Sequence, residues 1–278
     1  MKNSILLLLI VFGFSNVSFG QELEKIKGDR NLTIEQTYID GFKKIIVGQD
    51  FDVELFYNKK PSVEIETDGN LHEHFDIKVI DSVLTITSTR EVRYKKLSIK
   101  VNYGDGFSEI EVKDDGEIRS LTSLELGNAK LTTSGSARAY LNIKANSFSF
   151  TSKDKTKVKL NVTATNVTLE ISDNTKMDAL INASDVKMDL YQRASANVEG
   201  TVTTNLNLRA DNNSQFNGKN FTTKACTVLA EMDSDIYLEV TDTIAIDATG
   251  ASEIYLFGNP KITINTFTGT VKLEKKEK

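Results

Sequence analysis

Two short turns of the sequence carry glycine and serine in the pattern of a phosphate-binding or nucleophile loop. Residues 133–141 read TSGSARAYL and residues 249–256 read TGASEIYL, with Gly135 matching Gly250. A phosphate-binding loop needs its glycines to open a helix, because the free N–H groups of the first helical turn hold the anion. A nucleophilic serine needs a neighbouring base. Both turns open strand-like segments and neither has a credible base, so we predict no catalytic residue here.

Histidine and acidic residues are the next candidates for chemistry. His72 and His74 in the segment LHEHF are two residues apart, which on a strand would put both rings on one face, where a third ligand could complete a metal site. Two surface histidines without a partner are the more common arrangement. The acidic pairs at 114–115 and 233–235 fall short of the six or so oxygens that calcium needs and match no calcium-binding repeat. We therefore predict no metal and no cofactor.

The first twenty residues predict export. The stretch MKNSILLLLIVFGFSNVSFG places Lys2 before an unbroken apolar run from Ile5 to Phe14, and Ser18 and Gly20 stand at the small-residue positions of a cleavage site. A membrane-spanning helix needs about 20 apolar residues. The run is too short to span, so we predict a signal peptide that is cleaved after Gly20. No cysteine follows the run to carry a lipid anchor, and no later segment could span a bilayer as a helix.

Charge and cysteine content narrow the function further. The chain has 34 Lys and Arg against 39 Asp and Glu, a net charge of −5, and its basic residues are interleaved with acidic ones except in the tail KLEKKEK. Nucleic-acid binding needs clustered cations, so we expect no nucleic-acid partner. The single cysteine, Cys226, excludes an internal disulfide, and stability must come from burial.

A repeat of about 19 residues runs through the second half of the chain. One series consists of apolar residues two apart: Phe148/Phe150, Val167/Leu169, Val186/Met188, Leu206/Leu208, Cys226/Val228, Ile244/Ile246 and Ile262/Ile264. A second series follows each turn at the same interval: Ala139, Val158, Met177, Ala196, Phe216, Ile236 and Ile254. Apolar residues two apart lie on the same side of a strand. Each repeat therefore has one buried side and one side in water.

This period favours a parallel β-solenoid over an antiparallel sandwich. Turn signals in a sandwich usually come every 8 to 12 residues or so. A coil of about 19 residues suits three short strands with three bends, and each coil gains its burial from its neighbours. Cys226 falls in the register of Leu206 and Ile244, which predicts a buried apolar role rather than a reactive thiol.

The first third of the chain reads differently, with longer alternating strands separated by turn signals. We interpret it as a β-rich region that caps one end of the solenoid, since an uncovered end would present unpaired strand edges. The predicted organisation is a signal peptide at 1–20, a lead segment at 21–34, and one domain at 35–278 that comprises a β-rich lead-in (35–109), coils (110–273) and a charged tail (274–278).

Four segments, in this order, resemble the auto-transporter adhesin, head GIN domain family, which is known mainly from Bacteroidetes-type bacteria. They are FKKIIVGQDFDVELFY (42–57), DSVLTIT (81–87), the Ser-Gly-Ser corner (134–136) and ASEIYLFGNPKI (251–262). The resemblance covers nearly the whole mature chain. It implies a right-handed β-helix-like fold, an exported protein of the envelope or cell surface, and adhesion as its role, with no catalytic residues to carry over. The chain departs from it in two ways: it has no room for a translocator barrel, and most middle corners lack the Ser-Gly-Ser pattern.

The residue after each member of the second series points outward, and these residues form a column: Tyr140, Lys159, Asp178, Asn197, Asn217, Tyr237 and Tyr255. Tyr237 and Tyr255 should stack on adjacent coils, either as a platform for a glycan or protein partner or as a purely structural pair. We thus predict an exported, non-catalytic binding module of the envelope, periplasm or cell surface. The alternatives are a structural component that assembles with copies of itself and, third, a polysaccharide lyase, although coils of such even length leave little place for a catalytic groove.

Overall fold

A computed structural model describes residues 25–278 of the chain. The predicted signal peptide and its cleavage site after Gly20 lie outside the described residues. Among those described, no helix is long and apolar enough to cross a membrane.

Six long strands form the regular part of a parallel β-solenoid of about nine coils. Each strand pairs in parallel with the next, for example Ala139 with Val158 and Val158 with Met177, which confirms the repeat of about 19 residues. The six strands are β13 (Arg138–Ser152), β14 (Lys157–Ile171), β15 (Lys176–Leu190), β16 (Ser195–Ala210), β17 (Gln215–Ala230) and β18 (Asp235–Ala248).

Each regular coil is one bent strand and one short turn, not the three short strands that the period suggested. In β13 the side chains of Ile143 and Phe148 both point inward although they are five positions apart. The alternation therefore changes phase once, at Asn146, where the strand bends and leaves the pairing ladder. The halves before and after this bend form two walls, which we call the first wall (138–143 in β13) and the second wall (147–152).

The apolar series fill the space between the walls. The inward residues of both series are buried from Ala139 to Ile254, and Cys226 is buried in register with Leu206 and Ile244, as predicted. Ile262 and Ile264 hold the predicted register with Ile244 and Ile246 but are 45% and 51% exposed, because no further coil covers them in the described chain.

The sequence predicted that the first coil starts at residue 110, but the parallel stack includes earlier strands. Strands β10 (Glu109–Val112) and β11 (Glu117–Ser120) pair with β3 (Lys44–Val47) and β4 (Asp52–Tyr57), which pair in turn with β7 (Val83–Ser88) and β9 (Ser98–Tyr103). On their other side β10 and β11 pair with β12 (Leu124–Thr133) and β13. The outermost layer, formed by β7 and β9, follows the layer of β3 and β4 in the chain although it precedes that layer in the stack. A constant sequence period could not reveal this change of order.

Antiparallel strands cover this end of the stack. Strand β5 (Ser62–Asp68) pairs with β9 and with β2 (Leu32–Tyr38), and β6 (Phe75–Ile80) pairs with β7. A separate parallel pair joins β1 (Ile26–Lys27) to β8 (Val92–Arg93). The other end of the stack consists of β19 (Glu253–Phe257), β20 (Lys261–Phe267) and β21 (Lys272–Lys275).

The two histidines do not share a strand face, so this expectation was wrong. A 3-10 helix, η1 (Gly69–His74), links β5 to β6 and contains both. His72 lies 2.9 Å from the Thr33 hydroxyl, while His74 faces Glu73. No group of three or more His, Cys, Asp or Glu side chains in residues 25–278 is arranged to hold a metal ion.

Candidate ligand-binding face

The outward column follows the first wall in the register expected from the sequence. Each member pairs with the next, from Tyr140 with Lys159 to Tyr237 with Tyr255, and none is buried. The rings of Tyr237 and Tyr255 stack with centroids 4.5 Å apart and planes 18° apart. The predicted stacking is therefore confirmed, and its use for a ligand stays a prediction.

Other side chains besides the Tyr237 ring hold Tyr255 in place. Its hydroxyl donates a hydrogen bond to Glu253, which raises the pKa of Tyr255 to about 12, and the Lys276 ammonium lies 5.0 Å from its ring centroid. Hydrogen bonds from Lys272 and Tyr255 in turn lower the pKa of the Glu253 carboxyl. Since one ring face meets Tyr237 and a lysine lies over the ring, Tyr255 supports the stack and offers little free surface.

Tyr237 instead borders a cavity of about 410 Å³. On the side opposite Tyr255 its neighbour in the column is Asn217, whose side chain is much shorter than a tyrosine ring. The cavity is lined by Ser195, Asn197, Gln215, Phe216, Asn217, Lys219, Asp235 and Tyr237. An aromatic ring, side-chain amides, a carboxylate and an ammonium thus converge on one concave surface.

The local backbone explains why the cavity forms on these coils. The column is narrow where it passes through Asn197 and Asn217, and the coil that starts at Gln215 has a register shift after Gly218. A Cβ atom at Gly218 would lie 2.5 Å from the Phe216 ring, so only glycine fits there. The chain then bulges outward, and Lys219 lies 5.3 Å from the centroid of the Phe257 ring. The bulge forms one side of the cavity.

The chemistry of the lining suits binding. Among the described residues that line the cavity, Asp235 is the one carboxylate. Partial burial, together with the nearby Glu253 charge, raises the pKa of Asp235. Hydrolysis of a glycosidic bond normally uses two carboxyl groups on either side of the bond. A single carboxylate beside amides and an aromatic face can instead hold hydroxyl groups and stack on an apolar ring face.

The sequence pointed to part of this face. It identified Tyr237 and Tyr255 as candidates and placed Asn197 and Asn217 in the outward column. It missed Ser195, Gln215 and Lys219, and it considered Asp235 only as a member of an acidic pair. The signal that could have found them is the drop in side-chain size along the column, next to a coil one residue longer than average, from 195 to 215.

The Gly/Ser corners are turns without a site. The second turn residue has a positive φ in every regular coil, from Gly135 (φ 73°) through Asp154 (φ 70°) to Gly250 (φ 75°). This left-handed conformation is why the turns are rich in Gly, Asp and Asn. Asp114 and Asp233, members of the two acidic pairs, also have positive φ values and are explained by the same need.

The fold and this face define the class of protein as a parallel β-solenoid that carries a shallow polar and aromatic cavity on its outer surface. The sequence pattern of one family, described as "Putative auto-transporter adhesin, head GIN domain", matches residues 41–180 and 158–260. The chain belongs to this family, which confirms the resemblance seen in the sequence.

Solved structures of low sequence identity share the fold. A "putative adhesin" from Parabacteroides merdae is 15% identical with a TM-score of 0.59, and 91% of this chain and 99% of that chain are covered. A "putative lipid binding protein" from Parabacteroides distasonis is 16% identical with a TM-score of 0.59 (90% and 99% covered). A "putative adhesin" from the same species is 17% identical with a TM-score of 0.57 (90% and 100% covered). The comparison with curated proteins gives no match.

Proposed function

We propose that this protein is an exported, non-catalytic adhesive module that binds a glycan in the cavity beside Tyr237. Membership of an adhesin family supports adhesion as the role. The observation that carries the site is the free side of the Tyr237 ring, which borders a concave surface rich in side-chain amides. A sugar ring can stack its apolar face on the aromatic ring while its hydroxyl groups bond to Asn217 and Gln215.

We infer that the protein acts at the bacterial cell surface, in the periplasm or in the extracellular space. Support comes from the signal-peptide pattern that ends at Gly20 and from the adhesin family. Within residues 25–278, the cavity lining contains a single carboxylate, which favours binding over hydrolysis.

Glycan-array screening of the purified protein, followed by calorimetric titration with the best hit, tests the site. We expect Tyr237→Ala and Asn217→Ala each to weaken glycan binding at least tenfold. Tyr140→Ala is the matched control, because Tyr140 belongs to the same outward column, five coils before Tyr237, but lies outside the cavity. Equal binding by the wild type and both site variants would rule out this cavity as the glycan site.

A second candidate function, assembly of copies through their ends, is favoured by one observation. Strand β20 has an unpaired edge in the described chain, and its inward Ile262 and Ile264 are exposed beside Phe267, which is 40% exposed. An apolar, unpaired edge is a template for pairing with another strand. Light scattering at rising concentration tests it: growth in mass that Ile264→Lys abolishes supports assembly, and a monomer at all concentrations contradicts it.

A further inference from the structure

A group of cations surrounds a second cavity at the antiparallel end of the stack. This cavity has a volume of about 440 Å³ and is lined by Lys27, Gly28, Arg30, Arg93, Tyr94 and Lys95. Four of these six residues are positively charged, although the chain as a whole has a net charge of −5. The neighbouring lysines form ion pairs, Lys25 with Glu91 and Lys96 with Glu66. None of the four lining cations forms an ion pair with any residue from 25 onward.

Two of the cations are held side by side by backbone pairing. Lys27 and Arg93 are register partners in the parallel pair β1 and β8, and the Gly28 N–H donates to the Arg93 carbonyl at 2.9 Å. Parallel strands lie about 4.8 Å apart. Like charges at neighbouring positions of a sheet repel each other. A bound anion would relieve this repulsion.

The backbone that carries the cations is fixed by the side chains of Asn70, which is exposed, and of Asp68. Asn70 donates to the Lys27 carbonyl at 3.0 Å and accepts from the Asp29 N–H at 2.9 Å. Asp68, which is fully buried, accepts from the Lys95 N–H at 2.7 Å through its Oδ2 atom. Arg30 follows Asp29 in the left-handed conformation, with φ 67°. The cations are therefore presented by a preformed frame, which lowers the cost of ordering them around a ligand.

Nearby carboxylates do not cancel the positive charge. Asp29 and Asp68 are the acidic groups in contact with the frame, so the four cations leave a net charge of 4 − 2 = +2. The Asp68 Oδ1 atom is buried and has no hydrogen-bond partner in the described chain. Asp68 does not line the cavity, whereas the four cations do.

The geometry points to a binding site for an acidic glycan, with a sulfate, phosphate or carboxylate substituent held between Lys27, Arg30 and Arg93. Arginine forks match these oxyanions by paired hydrogen bonds. A concave site fits a charged substituent that projects from a sugar chain better than it fits the flat surface of a bilayer. The Tyr94 ring offers a face for the sugar. This cavity is independent of the one beside Tyr237, since the two share no lining residue and seven strand steps, roughly 34 Å, separate β9 at this end of the stack from β17.

Titration of the purified protein with heparin, as a sulfated probe, tests the inference. We expect heparin binding at low salt, no binding of neutral dextran, and loss of heparin binding near 0.5 M NaCl, where screening is strong. Arg30→Gln combined with Arg93→Gln should weaken heparin binding at least tenfold. The control combines Lys157→Gln with Lys176→Gln, which removes two exposed cations that are also register partners but lie outside the cavity.

Asn70→Ala provides a second variant that leaves every charge in place. It removes both bonds that fix the Lys27 and Asp29 backbone, so heparin affinity should fall several-fold while the thermal unfolding curve shows a folded protein. Three results would each overturn the site: no heparin binding by the wild type, an equal loss in the Lys157 and Lys176 control, or unchanged binding in the Arg30 and Arg93 variant. Binding of phosphatidylglycerol vesicles without heparin binding would assign the cations to a membrane and refute the glycan. If every glycan that binds the protein depends on Tyr237 and none on the four cations, the result would support the cavity beside Tyr237 and refute the cationic site.

Discussion

The turn at residues 231–234 places a bulky apolar side chain where the backbone suits asparagine. Met232 has a φ of 46° and is 61% exposed, so its side chain gains little from burial. One coil earlier the matching turn holds Asn212 and Asn213, with φ 57° and 63°. Asn adopts the left-handed region with less strain than other residues that carry a Cβ atom. Met232→Asn should therefore stabilise the protein.

The expected gain follows from the backbone. The left-handed conformation costs an ordinary residue about 1 to 2 kcal/mol, and Asn recovers part of that cost through local hydrogen bonds. We expect the free energy of unfolding to rise by about 1 kcal/mol, which in a protein of this size raises Tm by about 2 to 4 °C.

Urea denaturation followed by far-UV circular dichroism measures this change. Leu121→Asn is the matched control: Leu121 is 67% exposed but has an ordinary φ, so the same loss of an exposed apolar side chain should leave stability within about 0.5 kcal/mol. No gain in Met232→Asn, or an equal gain in Leu121→Asn, would refute the argument from backbone conformation.

Two other changes test the turns and the core. A Cβ atom at Gly135, which has φ 73°, would lie 2.8 Å from the Asp114 carbonyl oxygen, so Gly135→Ala should lower the free energy of unfolding by about 2 kcal/mol, whereas Gly127→Ala, with open space around it, should be neutral or slightly stabilising in the same denaturation assay. Burial strongly raises the pKa of the Cys226 thiol, so we expect no reaction with a thiol reagent at pH 8 in the native protein and full reaction in denaturant; labelling of the native protein would contradict the buried register of Cys226.

The sequence revealed those parts of the fold in which successive coils follow one another in both the chain and the stack, because apolar residues then recur at a constant interval. The inward series from Phe148 to Ile246 could be read because each coil buries the same two positions against its neighbours. The layer formed by β7 and β9 escaped prediction, since it lies beneath β3 and β4 although it follows them in the chain. The 3-10 conformation of the histidine segment has no comparable signal, because a strand and a short helix of six residues differ little in pattern.

The candidate site was harder to predict, because it depends on what differs between coils. The fold requires apolar inward residues and a turn residue that tolerates a positive φ, and these demands explain why Gly135 and Gly250 look alike without forming a site. The residues of the outward column need be neither apolar nor able to adopt a positive φ, so they can change without destabilising the core. Short Asn197 and Asn217 beside Tyr237 create a cavity only in combination with the bulge after Gly218. The shape of this outer surface can therefore change through the outward column alone, and Asn217→Lys should fill the cavity while leaving the far-UV circular dichroism spectrum and the unfolding midpoint close to those of the wild type.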